Sequence, residues 1–253
     1  MNTKSLFIRL SQLTCIALMV MSCSNNRNDD PEQEADLNVL IFSKTGAYRH
    51  ESIEPGGAAL KSYFERHGIT SSQTEDSTVF NKNTLASYDV VIFFQTTGNI
   101  IDSIQQESFK KYIQSGKGFV GIHSAADTEY DWPWFAGLIG VQFSDHPDIQ
   151  QATFVKVDTA QKITKHLPDR WTRTDECYNY KQLPVNVTVV LTVDESTYQG
   201  GKHGANHPIS WYHDYDGGRS FYTAMGHTVE NYQDTLFLEH IMRGVKWASG
   251  RFD

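Results

Sequence analysis

Cysteine and clustered positive charge are both scarce in this sequence, and each scarcity excludes a class of protein. Three cysteines among 253 residues are too few for the disulfide framework of a small secreted scaffold. Lysine and arginine total 22 against 30 aspartates and glutamates, so the net charge is −8, and the sequence has no basic run. Nucleic acids need clustered positive charge opposite their phosphates, so the composition argues against a nucleic-acid partner.

The motifs of nucleotide cofactors and of common nucleophiles are also missing. The sequence has no Gly-x-Gly-x-x-Gly after a strand, no phosphate-binding loop and no Gly-x-Ser-x-Gly. Cys177 lacks the glycine neighbours that a nucleophile at a strand–helix elbow needs. The sequence therefore predicts neither a nucleotide cofactor nor a cysteine nucleophile.

The first 36 residues are predicted to lie outside the fold. Residues 1–22 join a weakly basic start to an apolar stretch that is typical of a secretory signal peptide and too short to span a membrane. The stretch ends at Ser22-Cys23, which resembles a bacterial lipobox and implies a lipid on Cys23. Residues 23–36 are polar and predict a flexible tether. We therefore expect a cell-envelope protein that is attached to a membrane through Cys23, with one folded domain over residues 37–253.

From residue 37 onward, predicted strands and predicted helices alternate along the sequence, which is typical of an α/β fold. Continuous apolar runs at 37–43, 88–95 and 118–123 are typical of strands buried on both faces, and a weaker strand is predicted at 69–74. Helical patterns begin near residue 54 and cover 104–115, so strands and helices alternate as in a doubly wound, mainly parallel sheet. The C-terminal half adds predicted strands at 153–157, 187–193, 209–215 and 219–225 and a closing helix at 236–249.

Three histidines follow predicted strands at positions that meet at one edge of such a sheet. His50 lies in the loop after the first strand, His123 ends the 118–123 strand, and His227 follows the last strand. The carboxyl ends of parallel strands form the ligand crevice in open α/β sheets, so we expect these imidazoles to share a pocket. Asp127, four residues after His123, is expected beside them.

His123 stands where hydrolases of similar architecture carry their nucleophile. Gly121 and the small residues after His123 resemble a nucleophile elbow, in which a serine or cysteine is usual. An imidazole titrates at about pH 6.5 and is therefore suited to carrying a proton or binding a metal. The segment predicts a site whose architecture is hydrolase-like and whose chemistry is different.

Further candidates come from the strand-rich C-terminal half. The adjacent carboxylates Asp175 and Glu176 precede an aromatic strand, where one of them could orient a histidine or act as an acid or base, or where both could simply be solvated. Tyr178 and Trp211 offer aromatic faces on which a sugar ring can stack, although a buried tryptophan is usually part of the core.

Taken together, the motifs resemble those of the ThuA-like family, named for trehalose utilisation. The resemblance runs from residue 39 to 250 and implies a flavodoxin-like fold similar to that of class I glutamine amidotransferases, with His123 in place of the nucleophilic cysteine. It also implies a role in bacterial sugar metabolism. The motifs that carry it are Arg49-His50-Glu51-Ser52-Ile53, Gly121-Ile122-His123-Ser124-Ala125-Ala126-Asp127, Trp134 with Gly137, Gly140 and Phe143, His146-Pro147, Asp175-Glu176-x-Tyr178, Pro208-Ile209-x-Trp211, Gly218-Arg219-x-Phe221-Tyr222-x-x-Met225-Gly226-His227 and Trp247-Ala248-x-Gly250.

These observations predict an enzyme of carbohydrate metabolism that acts on a disaccharide or keto-sugar in a histidine-rich pocket. The expected catalytic residues are His123, Glu176 and Asp127, and the expected substrate-binding residues are His50, Trp211, His227 and Tyr178. Two alternatives stay open. One is a zinc-dependent hydrolase in which His50, His123 and His227 hold the metal. The other is a non-catalytic lipoprotein that binds carbohydrate.

Overall fold

A computed structural model describes residues 37–157 and 161–252. The predicted signal peptide, the tether and Cys23 lie outside the described residues, so the lipid anchor stays a prediction. Within the described residues, no helix combines the length and the apolar character that crossing a bilayer requires.

A nine-stranded sheet and a separate two-stranded sheet contain all the strands of the described residues. The strands are β1 (Leu37–Phe42), β2 (Ile69–Thr74), β3 (Val90–Phe94), β4 (Gly118–Ile122), β5 (Phe143–Asp145), β6 (Gln150–Lys156), β7 (Arg170–Asp175), β8 (Asn179–Tyr180), β9 (Thr188–Asp194), β10 (Pro208–Tyr215) and β11 (Gly218–Thr223). The large sheet has the order β2-β1-β3-β4-β11-β10-β9-β6-β7, and β5 pairs with β8. Strands β2, β1, β3, β4 and β11 are mutually parallel, and the remaining pairs are antiparallel.

Helices cover both faces of the parallel half, which confirms the predicted α/β fold. They are α1 (Ile53–Arg66), α2 (Lys82–Leu85), α3 (Ser103–Gln114), α4 (Pro133–Ile139), α5 (Gln161–Thr164) and α6 (Thr235–Ala248). On one face, α6 packs on β4 and β11 beside α1. On the other face, Phe109 of α3 and Phe135 of α4 each lie 5.3 Å from the ring of Phe93 on β3. All five residues of β3 and of β4 are buried, as their continuous apolar sequences predict.

Two helices begin with caps that the sequence encodes. The Asp102 side chain accepts hydrogen bonds from the backbone of Ile104 and Gln105, and the Gln105 side chain accepts one from the Asp102 backbone amide, so α3 starts with a capping box. Asp234 caps α6 by accepting from the Leu236 backbone. Both caps satisfy orphan amides at a helix start, and they fix where each helix leaves the preceding loop.

Sequence patterns alone do not predict the edge strand β7. Its residues alternate between exposed and buried, with arginines and threonines among them, so it lacks the apolar run of a central strand. The short elements β5, β8, α2, α4 and α5 are likewise too brief to leave a period in the sequence. The omission of β7 matters because Asp175 ends this strand and Glu176 follows it directly.

Strand directions bring the end of β7 to the same edge as the ends of β4 and β11. Four successive antiparallel pairings separate β11 from β7, so the two strands run in the same direction. Asp175 also hydrogen-bonds to the loop after β11. The antiparallel half of the sheet therefore curves back. The end of its last strand places Glu176 at the edge where the parallel strands have their carboxyl ends, which is where ligands bind in such sheets.

Gly244 of α6 lies against the ring of Phe221 on β11, and a Cβ atom there would overlap that ring. Helix propensity alone favours alanine over glycine by about 1 kcal/mol. We expect Gly244→Ala instead to lower the free energy of unfolding by about 2 kcal/mol, because Phe221 is fully buried and cannot move aside. Denaturant unfolding measures the change. Lys61→Ala on the exposed face of α1 is the control, and stabilisation by Gly244→Ala would show that the helix can shift.

Candidate functional site

His123 occupies an elbow directly after β4. Its φ angle is 52°, in the left-handed region that a residue with a side chain rarely adopts. The conformation is held from outside, because the Tyr222 hydroxyl donates to the His123 carbonyl at 2.8 Å and a Cβ on Gly121 would lie 2.9 Å from the Tyr222 ring. A backbone strained in this way persists only where the surroundings fix it, and such positions concentrate at functional sites.

The fully buried imidazole of His123 has one nitrogen committed to the backbone. Its Nδ1 lies 2.7 Å from the carbonyl oxygen of Ala224, which can only accept, so Nδ1 carries a proton. In the neutral ring Nε2 is then left with a lone pair. That Nε2 lies 3.1 Å from Nδ1 of His227 and 3.4 Å from Oε2 of Glu176. The lone pair is thus aimed at the other two side chains.

Glu176 joins the histidines from the end of β7. Its Oε2 lies 3.0 Å from Nδ1 of His227, and its Oε1 lies 3.0 Å from Nδ1 of His146. Burial by itself raises the pKa of Glu176, but hydrogen bonds from His123 and His227, when their facing nitrogens carry a proton, outweigh burial and lower that pKa well below its usual value. Glu176 is therefore an ionised carboxylate at neutral pH, surrounded by imidazoles.

His50 completes the group from the loop after β1. Its ring centre lies 4.9 Å from the ring centres of both His123 and His227, edge to face. Burial, followed by repulsion from His123 and His227, lowers the pKa of His50 to about 2. A neutral imidazole at this position keeps a lone pair that can bind a cation.

The donor set of this cluster fits a divalent transition metal. His50, His123, Glu176 and His227 each offer one ligand atom, and these four atoms all lie within 4.8 Å of one another. The ligand atoms of a tetrahedral zinc site lie about 3.4 Å apart when the metal–nitrogen distance is about 2.1 Å, which is close to the separations found between His123, Glu176 and His227. The bond from Nδ1 of His123 to a backbone carbonyl is also the usual support of a metal-binding histidine.

Three polar side chains hold the His227 loop in place beside the cluster. The fully buried carboxylate of Asp175 accepts from the backbone amides of Glu176, Gly226 and His227 at 3.0, 2.9 and 3.0 Å. On the other side, Ser52 donates to the His227 carbonyl at 2.6 Å, and the Gln95 amide donates to the Gly226 carbonyl at 2.8 Å. Both faces of this loop backbone are therefore held by hydrogen bonds to neighbouring segments of the chain.

Three of the four cluster residues, His50, Glu176 and His227, line a cleft of about 550 Å³, and His123 is fully buried beside them. Asp127 lines one wall, where it accepts a hydrogen bond from the Tyr130 hydroxyl at 2.7 Å and where burial raises its pKa. The ring of Tyr178 packs 4.2 Å from that of His123. The full lining consists of Tyr48, His50, Asp127, Phe143, His146, Asp148, Ile149, Glu176, Tyr178 and His227.

The structure therefore brings together six of the seven residues predicted from the sequence, and it excludes Trp211. The assignment of Trp211 to substrate binding is wrong, because β10 lies inside the sheet and the indole is fully buried there. Its Nε1 donates to the Ile139 carbonyl at 3.0 Å, and its ring packs 4.7 Å from Tyr222. Trp211 belongs to the core under α4.

His146 is the cluster contact that sequence reasoning did not assign to the site. It follows β5, a three-residue strand without a recognisable pattern, and its only signal is the His146-Pro147 pair within the family motifs. Cys177 behaves as predicted for a residue that is not a nucleophile, since it is buried and burial raises the pKa of its thiol.

A protein-family model described as "ThuA: Trehalose utilisation" matches residues 38–248. The chain belongs to the ThuA family. No curated protein matches it. The family assignment confirms the resemblance on which the expectation of sugar metabolism rests.

Solved structures show the same fold at low sequence identity. A ThuA-like protein from Bacteroides uniformis is 21% identical with a TM-score of 0.68, covering 84% of this chain and 91% of that one. A ThuA-like protein from Parabacteroides merdae is 20% identical with a TM-score of 0.71, covering 85% and 90%. A β-galactosidase from Rahnella sp. R3 is 14% identical with a TM-score of 0.57, covering 84% of this chain but 31% of the enzyme. These likenesses concern the fold alone.

We expect the stability of the metal-free ThuA domain to fall with acidity because of His50. Below about pH 6.5 the unfolded chain binds a proton at His50, whereas the folded chain does not until about pH 2. Unfolding is then favoured by about 1.4 kcal/mol for each pH unit lost below that range. His50→Gln should reduce this slope in denaturant titrations with a chelator at pH 5 to 6.5. Ser124→Ala alters the same pocket without removing a titratable group and should keep the wild-type slope; an equal slope in His50→Gln would contradict the assignment.

Asp175→Asn tests the Asp175 clamp, by which we mean the hydrogen bonds from the backbone amides of Glu176, Gly226 and His227 to the Asp175 carboxylate. An amide has one acceptor oxygen and places a second donor against the backbone amides, so we expect the free energy of unfolding to drop by about 3 kcal/mol. Chemical denaturation measures this, with the exposed Asp169→Asn as the matched control. A drop no larger than that of the control would mean that the three amides find other acceptors.

Proposed function

We propose that this ThuA domain is a carbohydrate-processing enzyme that holds a divalent transition metal between His50, His123, Glu176 and His227. The observation that carries the proposal is the convergence of four ligand atoms at the base of a cleft large enough for a small molecule. With the predicted lipid on Cys23, the enzyme works at a membrane of the cell envelope.

The electrostatics of the cluster favour a cation at its centre. Glu176 is ionised and buried, His50 is neutral, and His123 turns a lone pair towards both Glu176 and His227. A metal bound there would act as a Lewis acid towards a sugar oxygen or a water molecule. His123 is held as a ligand by its bond to the Ala224 carbonyl, and Asp175 holds the backbone of the other two ligand loops.

Two residues on the cleft walls are placed to move protons. Nδ1 of His146 contacts Oε1 of Glu176, so the carboxylate orients this ring at the cleft wall. Asp127 lines the cleft at another point, and burial raises its pKa above that of an exposed aspartate, which favours a role in proton transfer. We assign His146 and Asp127 as the general acid and base.

A sugar is the substrate class that the family description and the cleft walls support together. The family is described by trehalose utilisation. The cleft offers the rings of Tyr48, Phe143 and Tyr178 as well as the carboxylates of Asp127 and Asp148. Sugars present apolar ring faces and a rim of hydroxyls, so they need aromatic surfaces and hydrogen-bond acceptors in this combination.

A metal-free acid–base enzyme is the second candidate. The 3.0 Å contact between Nδ1 of His227 and Oε2 of Glu176 is a good hydrogen bond if a proton lies between them, and it satisfies both groups without an ion. In that case Glu176 orients His123 and His227, and His123 carries the proton, as the sequence predicts.

Metal analysis combined with turnover assays tests the proposal. We expect protein purified without added metal to carry about one transition-metal ion per chain and to convert disaccharides or their 3-keto derivatives. Chelation or His123→Ala should lower turnover at least about 100-fold, whereas His67→Ala, outside the cleft, should leave it intact.

Each other outcome points to a specific alternative. Full turnover without metal would replace the metal enzyme by the acid–base enzyme. Turnover that is unchanged in His123→Ala would reject both. Sugar binding without turnover that survives His123→Ala would instead support a carbohydrate-binding lipoprotein.

A further inference from the structure

The outer part of the cleft carries apolar side chains that the cluster chemistry does not use. Four large hydrophobic residues are exposed within the described residues, and two of them, Tyr48 and Ile149, line this cleft. Tyr48 is 62% exposed on the loop after β1, and Ile149 is 46% exposed on the loop before β6. Exposed apolar surface beside a polar site is typical of a ligand-binding groove.

Contacts with the cluster residue His50 and with Thr97 hold Tyr48 at the rim of the cleft. Its ring packs edge-on against His50 at 4.8 Å between centres, and its backbone carbonyl accepts from the Thr97 hydroxyl at 2.8 Å. The loop is therefore fixed at a cluster residue while most of the Tyr48 ring faces solvent. A ligand part that contacts this ring lies further out than the part that contacts the cluster.

The fixed charges of the cleft lining are also all negative. Its ten residues include Asp127, Asp148 and Glu176 but no lysine or arginine. Arg49, next to the lining residues Tyr48 and His50, is held by two carboxylates on the exposed side, Glu54 at 2.5 Å and Glu75 at 2.7 Å.

Lys202 is another nearby cation that is already paired, 2.7 Å from Asp145 of β5. A phosphate or carboxylate in the outer cleft would thus meet the exposed Asp148 with no lysine or arginine in the lining to balance it. Uncharged hydroxyls, in contrast, can donate to the same carboxylates.

From these contacts we infer that Tyr48 and Ile149 form an outer subsite for a second, uncharged sugar ring, and that Asp148 excludes anionic sugars from it. The inference rests on the proposed function, since the first ring is the one at the cluster. It makes the substrate a neutral glycoside of at least two units and names the residues that select it.

Calorimetric titration of the purified protein with glucose, trehalose, maltose and trehalose 6-phosphate tests the subsite. We expect one of the two disaccharides to bind at least about tenfold more tightly than glucose, and Tyr48→Ala to remove about tenfold of that affinity, because ring stacking is lost. Glucose affinity should fall less than disaccharide affinity, because glucose fills the position at the cluster. Ile149→Ser should act in the same direction, and Ile104→Ser, at a more exposed isoleucine of α3 that lies outside the cleft, should have no effect.

The charge arm uses the phosphorylated sugar. Wild-type protein should bind trehalose 6-phosphate at least about tenfold more weakly than trehalose. Asp148→Lys should reduce this difference between the two affinities, because it removes a negative charge and adds a positive one. Asp214→Lys, which is also exposed but lies on β10, is the control.

Failure of the subsite is distinguishable from failure of the proposed function. If none of these sugars binds, the proposed function and the subsite are both overturned. If glucose and both disaccharides bind equally, and Tyr48→Ala changes none of the affinities, the proposed function stands and the subsite is overturned. Binding of trehalose 6-phosphate as tight as that of trehalose would overturn the exclusion of anions.

Discussion

The buried carboxylate of Asp175 is the contact on which the site depends. It gathers three backbone amides from two segments, one after β7 and one after β11, and these segments carry Glu176 and His227. Strand β7 is the edge of the sheet, five positions away from β4 in the strand order. The strand pairings give β7 the right direction but do not by themselves bring its end next to the elbow. A buried carboxylate that accepted no hydrogen bonds would be costly. The curved sheet brings the three amides to Asp175, and their hydrogen bonds in turn stabilise the curved arrangement.

The elbow shows how the fold can keep a geometry while the chemistry changes. Left-handed backbone at His123 projects the side chain from the end of a buried strand, as it does for a serine or cysteine nucleophile. An imidazole is longer and planar, and it can commit Nδ1 to the Ala224 carbonyl while Nε2 reaches the centre of the cluster. The same strain that exposes a nucleophile therefore serves here to aim a lone pair.

The sequence predicts the parallel half of the fold well because buried central strands need continuous apolar runs. The His50, His123 and His227 positions follow from that half, since each comes after a parallel strand. Glu176 was found only as one of two adjacent carboxylates, because β7 is half exposed and shows no apolar run. The error at Trp211 has a related cause. A tryptophan in a strand can be either exposed or buried, and only the position of β10 inside the sheet shows that this one is buried.

Burial and charge together explain why this cluster lowers the stability of the protein when no metal is bound. Burial disfavours protonation of His50, while the ionised Glu176 requires positive charge close to it. One proton shared with His227 can balance Glu176, but it leaves the lone pairs of His50 and His123 without a partner on the same centre. The proposed divalent cation would engage all four donors at once. Protons satisfy this arrangement poorly and the proposed metal would satisfy it well, which is the balance expected of residues that serve function at the expense of stability.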